Sequence, residues 1–527
     1  MQKLRVFLAD LRNGYFPQIR SSVPLGMGYV AAYLQKRFGD EIHQQLFIDV
    51  ARLYDELRKT RPDIVAFGAF AWNAALTNRA VRITRELAPN ALIVVGGAEV
   101  SHLPECVTHD FKNLPEVDFA ISYEAEMPMA NLVAACISAK SPFEARGEEI
   151  RGCLTLSGTS KGAASFCERI TDLSLIPSPY LSGFMDPFLT DPSSLPLIQA
   201  SRGCPYRCTY CVSGNLVWNK LRAFQTSRVL EEIDYVRQHA AIANLRFADD
   251  NFGLLERDLE IAEYLADLHR NFNFPHTISL YTDKHPSERV LEINRLLAPM
   301  QPFNISLQSV TPGVLATIKR INIKQEGIKA AVAFARNHSL MPVTEVMFPL
   351  PEETVQTFFD GLDSILENGF ESIAISFVTI LKHTALDQPE EREKYRLETG
   401  FVISPNGFTL HERFQSVETQ ELVIATNSVS RQEYFDSIKL IFLYRVATIH
   451  GFFRELLFFF MNYDIRPFEL FSRILTDSDE FPCVSKHVLW IAESVRALLF
   501  HSAEQAAQHY LSTPPSGRST SNGILWD

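Results

Sequence analysis

Apolar and polar positions form two alternating blocks, separated by a stretch without periodicity. In the first block, residues 4–9 (LRVFLA), 63–70 (DIVAFGAF), 91–95 (ALIVV) and 117–121 are short runs rich in branched and aromatic side chains. Residues 27–37, 74–87 and 129–137 carry apolar positions at helical spacing. Buried strands alternating with amphipathic helices predict parallel βαβ units and a doubly wound, Rossmann-like sheet. Ligands of such sheets lie beyond the carboxyl ends of the strands, which directs attention to 10–25, 71–73 and 96–102.

From about 140 to 196 the pattern lapses. Ile176-Pro177-Ser178-Pro179 and Asp191-Pro192-Ser193-Ser194 mark a connector with one small hairpin. A second series follows, with candidate strands at 197–200, 244–248, 276–281, 303–307, 343–348 and 372–377 and helices between them, such as 227–239 and 256–271. Six βα units in succession fit a partial or full (β/α) TIM-type barrel, with its site at the C-terminal ends of the strands. Beyond about 400 the pattern turns mostly helical and aromatic. The run 450–461 (HGFFRELLFFFM) is apolar nearly all round as a helix, which predicts burial. Residues 512–522 read as a disordered tail. The α/β chain thus divides into a doubly wound domain (1–140), a connector (141–196), a barrel (197–400) and a mostly helical C-terminal domain (401–527).

Composition narrows the setting. The 527 residues allow roughly three or four domains. Fifty Lys and Arg against 62 Asp and Glu leave a net charge of −12, so no nucleic acid partner is expected. No apolar run reaches about 18 residues, so no membrane span is expected. The N-terminus shows no secretory pattern, and eight Cys are too few for a disulfide scaffold, which predicts a cytoplasmic protein with reduced thiols.

One motif stands apart: Arg202-Gly203-Cys204-Pro205-Tyr206-Arg207-Cys208-Thr209-Tyr210-Cys211, directly after the first strand of the second series. A C-x3-C-x2-C loop suits three irons of a 4Fe–4S cluster, leaving the fourth open. A structural zinc needs a fourth ligand, and no Cys or His follows until His239. Three unrelated structural cysteines, or a zinc completed from elsewhere, are the other readings.

This segment resembles the cluster loop of radical S-adenosylmethionine (radical SAM) enzymes. In that family the open iron chelates SAM, and electron transfer cleaves SAM to a hydrogen-abstracting 5′-deoxyadenosyl radical. Phe247-Ala248-Asp249-Asp250-Asn251-Phe252 resembles the family's F-x-D-D-x-F element. Ser306-Leu307-Gln308-Ser309, followed by Lys319-Arg320, resembles its fourth-strand region. Pro349-Leu350-Pro351-Glu352-Glu353-Thr354 resembles G-x-P-x-E-T with Pro in place of Gly. Lys382-His383-Thr384-Ala385-Leu386 keeps only the Thr and Leu of P-G-T-x-L. The resemblance implies cluster ligation by Cys204, Cys208 and Cys211, and SAM contacts from Tyr210, Asp249, Asp250, Gln308, Ser309 and Arg320. By chemistry alone, Asp249 and Asp250 also suit a helix start, and Arg320 a surface ion pair.

The first block resembles the cobalamin-binding domain fused to a large radical SAM subclass. The match runs through Ser22-Val23-Pro24-Leu25-Gly26-Met27-Gly28-Tyr29, the Trp72-Asn73 loop, Gly96-Gly97-Ala98-Glu99 and Tyr123-Glu124-Ala125-Glu126. It implies cobalamin contacts from Pro24, Leu25, Gly26, Trp72, Asn73, Gly96, Gly97, Glu99, Tyr123 and Glu124. The D-x-H-x-x-G signature that supplies an axial His elsewhere is absent, so no protein His ligand is expected. A flavodoxin-like domain without cofactor is the other reading.

The resemblance implies a cobalamin-dependent radical SAM methyltransferase acting on an unactivated carbon of a small-molecule or peptide substrate. Its cofactors would be a 4Fe–4S cluster, SAM and cobalamin, with an electron donor such as flavodoxin or ferredoxin. Alternatives are ring contraction, cyclisation or rearrangement with the same cofactors, or a non-enzymatic cobalamin sensor, against which the intact cysteine triad speaks. A tRNA methylthiotransferase requires a second N-terminal triad, where only Cys106 and Cys136 occur. Cys153, Cys167 and Cys483 are isolated and read as small buried hydrophobes.

Overall fold

A computed structural model describes residues 3–14, 20–139, 141–157, 169–215, 219–477 and 479–513. The expected tail, from 514 onward, and Cys167 lie outside the described residues.

Strand Leu4–Ala9 pairs in parallel with Ile42–Phe47 on one side and Ile64–Gly68 on the other. Leu92–Gly96 and Phe119–Ile121 extend the sheet in parallel. Numbered along the chain, these five strands lie in the order 2-1-3-4-5, which places the ligand crevice between the first and third. Ile42–Phe47 escapes the hydrophobic pattern because His43, Gln44 and Gln45 interrupt it, as an edge strand beside water permits.

The connector differs from expectation. In place of a hairpin it gives Leu154–Thr155 to the first sheet, antiparallel to Phe119–Ile121, and Ser194–Leu195 to a pairing with Ser21–Ser22. Its apolar anchors Leu173, Ile176, Tyr180, Met185 and Phe188 share one core with both flanking domains. The segment is a packed wedge. Cys153 is buried at its start as expected, whereas Cys483 is exposed in the first turn of the helix Pro482–Ala497.

All six expected barrel strands form. Leu197–Ile198, Asn244–Phe247 and Thr277–Ser279 make one parallel group, and Phe303–Asn304, Pro342–Phe348 and Ser372–Phe377 a second. The Ile278 N–H donates to the Met300 carbonyl at 3.1 Å. Among the described residues no pairing joins the first strand to the sixth, so the barrel is partial. No described helix is long and apolar enough to cross a membrane.

The C-terminal region begins with strands. Glu398–Thr409 and Ser416–Ala425 form a long hairpin, extended by Thr379–Ile380. Pro405-Asn406-Gly407 looks like a turn, yet the chain only bulges there, with Asn406 at φ +60°, and carries on in strand. The helices follow from Arg431. The run 450–461 is not buried as expected. Gly451 and Phe453 take positive φ, the helix is limited to Arg454–Met461, and Leu457 is its only buried residue. Phe452 and Phe453 are 64% and 71% exposed, so among the described residues little packs on that outer face.

The hairpin returns to the first domain. Phe414 is buried in the core beneath the N-terminal sheet. Helix Ala74–Leu87 receives no side-chain cap from its own Asn73. Instead Glu418 Oε2 accepts the Ala75 N–H at 2.8 Å and Oε1 accepts the Leu76 N–H at 2.9 Å. Burial pushes this carboxyl up to about 7, against the pull of both donors. Glu418→Ala should cost about 0.5–2 kcal/mol, the range for a lost cap, read as a lower midpoint of thermal unfolding. A raised carboxyl pKa means the stability tied to its proton is full below pH 4.5 and is lost as pH rises through about 7. E418Q should flatten that slope.

Candidate functional site

The cysteine loop leaves and re-enters the barrel through a two-residue antiparallel stem, Ser201–Arg202 against Arg222–Ala223. Within it, the Cys211 N–H donates to the Cys208 carbonyl at 3.2 Å and the Thr209 N–H to the Ile318 carbonyl at 3.1 Å. Gly214 is obligatory, since a Cβ there would sit 2.2 Å from the Cys208 carbonyl oxygen. Cys204 and Cys208 are buried and Cys211 is half-buried, all as free thiols. Burial raises the Cys204 pKa and pushes Cys211 up to about 11, so these two thiols are neutral in the bare loop. Metal binding displaces such protons. The Asn251 amide donates to Cys204 Sγ at 3.1 Å. No group of three His, Cys, Asp or Glu among the described residues is gathered for a single metal ion. A cluster spreads its thiolates over separate irons, so three cysteines spaced along one loop are compatible with it.

Of the paired aspartates, Asp249 is fully engaged by the protein. Its Oδ2 accepts the Ala200 N–H at 2.8 Å and its Oδ1 the Ser201 hydroxyl at 2.5 Å. It therefore fixes the chain entering the cysteine loop through both carboxylate oxygens. Burial lifts its carboxyl to about 6. D249A should cost about 1–3 kcal/mol through the orphaned Ala200 N–H, and should lower the iron taken up per chain. Asp250 lies at the barrel mouth beside the thiols; desolvation raises its pKa and Ser213 opposes this.

Arg320 is 9% exposed, which rules out the surface ion pair. Its Nε donates to the Leu307 carbonyl and to Asn322 Oδ1, and one terminal nitrogen to the Tyr210 hydroxyl at 3.3 Å. The other terminal nitrogen reaches the Ser306 carbonyl. Among the described residues it forms no ion pair, although Glu345 lies within its electrostatic reach. Such a buried cation calls for a negative ligand. Gln308 stands at φ +66°, with its backbone bonded on both sides to the fifth strand. Its side-chain amide makes no hydrogen bond with a described residue. Ser309 is different: its hydroxyl donates to Glu353 Oε2 at 2.9 Å, in a buried network with Thr311. That network ties the end of the fourth strand to the end of the fifth.

In the first domain, the crevice between the first and third strands is bordered by Trp72. This indole is 59% exposed and stacks on Phe70 at 4.6 Å between ring centroids. An exposed, pre-stacked Trp suits a flat apolar ligand such as a corrin ring. Gly26 is open, with nothing within 4 Å of where a Cβ would stand. Pro24 and Leu25 are instead buried, Leu25 within the core. Asn73 is 0% exposed and bonds to the Leu11 and Gly68 carbonyls and the Phe70 N–H, so it shapes the loop. Gly97, at φ +111°, is required because a Cβ would lie 2.4 Å from the Ala69 oxygen, and Gly96 packs against Ile121. Tyr123 is half-buried beside Arg169.

Glu99 and Glu124, expected beside cobalamin, each pair with a cation of the second domain. Glu99 pairs with Lys382 at 2.7 Å, and its carbonyl lies 3.1 Å from His383 Nε2. Glu124 grips Arg222, and Glu126 pairs with Arg202 at 2.8 Å, pinning the stem of the cysteine loop. His102 Nδ1 lies 3.1 Å from the Asn215 amide, four residues past Cys211. The strand-end loops of the two domains therefore meet. Sequence reasoning missed these contacts, along with Asn251 and the third-strand residues Asp283, Lys284 and His285. Charged residues just past a barrel strand were the available signal for the last three.

Comparison with known proteins agrees with this arrangement. The B12 binding domain family matches residues 21–133, and the radical SAM superfamily matches residues 198–365. The cobalamin-dependent radical SAM methyltransferase TokK of Streptomyces tokunonensis is 29% identical over 402 residues, covering 74% of this chain and 57% of that protein. The 2-(S-pantetheinyl)-carbapenam-3-carboxylate methyltransferase of Streptantibioticus cattleyicolor is 30% identical over 389 residues, covering 72% and 55%. The chain thus spans a little over half the length of these two relatives. Among solved structures, the cobalamin-dependent S-adenosylmethionine radical enzyme OxsB shares the fold with a TM-score of 0.58 at 15% identity, over 99% of this chain and 78% of that one. TsrM from Kitasatospora setae gives 0.56 at 15% identity, over 76% and 77%. With a B12 binding domain set against a radical SAM barrel, the chain belongs to the cobalamin-dependent radical SAM family.

Proposed function

We propose that this protein is a cobalamin-dependent radical SAM methyltransferase that places a methyl group on an unactivated carbon of a small molecule. The observation that carries the reading is the meeting of the two strand-end loops, His102 against Asn215, which sets the Trp72 crevice and the cysteine loop toward a shared space. Two relatives named as methyltransferases support the reaction class. When bound, the cluster supplies an electron for SAM cleavage and cobalamin carries the methyl group.

The residues have separate tasks in this scheme. Cys204, Cys208 and Cys211 hold the cluster, and Asn251 donates to the first of them. Arg320 receives the SAM carboxylate, Asp250 its ammonium group, and Gln308 and Tyr210 border it. Trp72 and Gly26 face the corrin. The paired stem and its ion pairs keep the loop in register and shut out water. A flavodoxin- or ferredoxin-type protein delivers the electron, in the cytoplasm.

The test is anaerobic reconstitution with iron, sulfide and hydroxocobalamin, then SAM product analysis with a carbapenam-type substrate or another small acceptor. Methyl transfer yields S-adenosylhomocysteine and 5′-deoxyadenosine together with methylated product. Product formed with 5′-deoxyadenosine but without S-adenosylhomocysteine would instead mark ring contraction, cyclisation or rearrangement.

A further inference from the structure

Past the third barrel strand, three consecutive side chains close on one residue of the cysteine loop. The Tyr206 hydroxyl donates to Asp283 Oδ1 at 2.6 Å and lies 2.9 Å from His285 Nδ1. Between them, Lys284 Nζ stands 3.7 Å from the centroid of the Tyr206 ring. Lys284 is only 7% exposed. Its ammonium makes no hydrogen bond or ion pair with any described residue, the Tyr206 ring being its one contact of this kind. An ammonium carries three donors, and burying them unpaired is costly. A cation–π contact returns only about 0.5–2 kcal/mol. Arg320, also buried, is close enough to repel it. Neither cation is ion-paired, although Asp283 lies within electrostatic reach of Lys284 and Glu345 of Arg320; Cys204 and Cys208 also lie within reach of Lys284, which marks the cysteine loop as the place where a further negative group would sit.

We propose that Lys284 is a positioning residue whose fixed positive charge favours the reduced state of the cluster held by Cys204, Cys208 and Cys211. Asp283 and His285 hold Tyr206, and with it the loop, at the working distance. The inference rests on the cluster reading above. On accepting one electron from its protein donor the cluster gains one negative charge, so a nearby cation stabilises the product state more and raises the potential.

The experiment is a potentiometric titration, followed by electron paramagnetic resonance, of reconstituted wild type, K284R, K284Q and D283N. K284Q should lower the midpoint by about 59 mV, a tenfold change in a one-electron equilibrium. K284R should restore it, and SAM affinity should change little. D283N removes a neighbouring negative charge and should move the midpoint upward, so the test stands even where K284Q takes up no iron. An unshifted midpoint in K284Q, or a downward or absent shift in D283N, overturns the proposal. So does a K284Q protein with normal potential and weakened SAM binding, which would make Lys284 a ligand contact. A wild type that takes up no iron defeats the cluster reading itself and is thereby told apart.

Discussion

Replacing Cys204, Cys208 and Cys211 together by Ala should abolish iron loading and SAM cleavage while leaving cobalamin uptake close to that of the wild type. The two outcomes separate because the loop's shape does not depend on its thiols. The Ser201–Arg202 and Arg222–Ala223 pairing, the Glu124 and Glu126 ion pairs and the close fit of Gly214 all survive the substitution. The Trp72 crevice belongs to another sheet, one face of which packs on a core separate from the barrel strands. Iron should fall from about four per chain, as a 4Fe–4S cluster requires, to none. Production of 5′-deoxyadenosine should fall to background. Iron assay, the visible spectrum of bound cobalamin and chromatography of SAM products read the three quantities independently. Persistent 5′-deoxyadenosine would show that the cluster is held elsewhere.

Arg320→Met should weaken SAM binding by roughly ten- to more than a hundredfold, the effect of losing a charged hydrogen bond worth about 1.5–3 kcal/mol. The guanidinium is fixed from three directions: by the fourth-strand carbonyls of Ser306 and Leu307, by Asn322, and by Tyr210 of the cysteine loop. It is therefore set in place before any ligand arrives, so little ordering is required on binding. R320K should recover only part of the affinity, because an ammonium cannot hold the carbonyls and a carboxylate in the same plane. Iron content should stay at the wild-type level in both. Equilibrium binding of SAM to the reconstituted protein measures the loss, and unchanged affinity in R320M would remove Arg320 from the SAM site.

Much of the architecture was legible because two signals coincided. Continuous apolar strands marked both parallel sheets, and the cysteine spacing fell directly after the first barrel strand. The illegible parts have physical causes. Ile42–Phe47 is polar at its centre because it lies at an edge. The hairpin was hidden by Pro405-Asn406-Gly407, whose turn chemistry serves a bulge. Burial of 450–461 was overestimated because composition does not say whether a neighbour exists. At the site, residue type alone did not show which side chains also brace the protein. Asp249, Ser309, Asn73, Glu99 and Glu124 all have the right chemistry, and their polar atoms also have protein partners that residue type did not announce. Arg320 and Gln308 keep open capacity, which only the three-dimensional contacts reveal.

The capping of helix Ala74–Leu87 by Glu418 has a consequence for the timing of synthesis. The N–H groups of Ala75 and Leu76 wait for a carboxylate that lies 343 and 342 residues further along the chain. At about 5–20 residues per second, a ribosome needs on the order of half a minute to deliver it. Throughout that interval the front domain has emerged without its last polar contact and without Phe414 in its core. Its final locking is therefore tied to completion of the barrel, so a chain stalled before the hairpin would carry a loosened cofactor crevice.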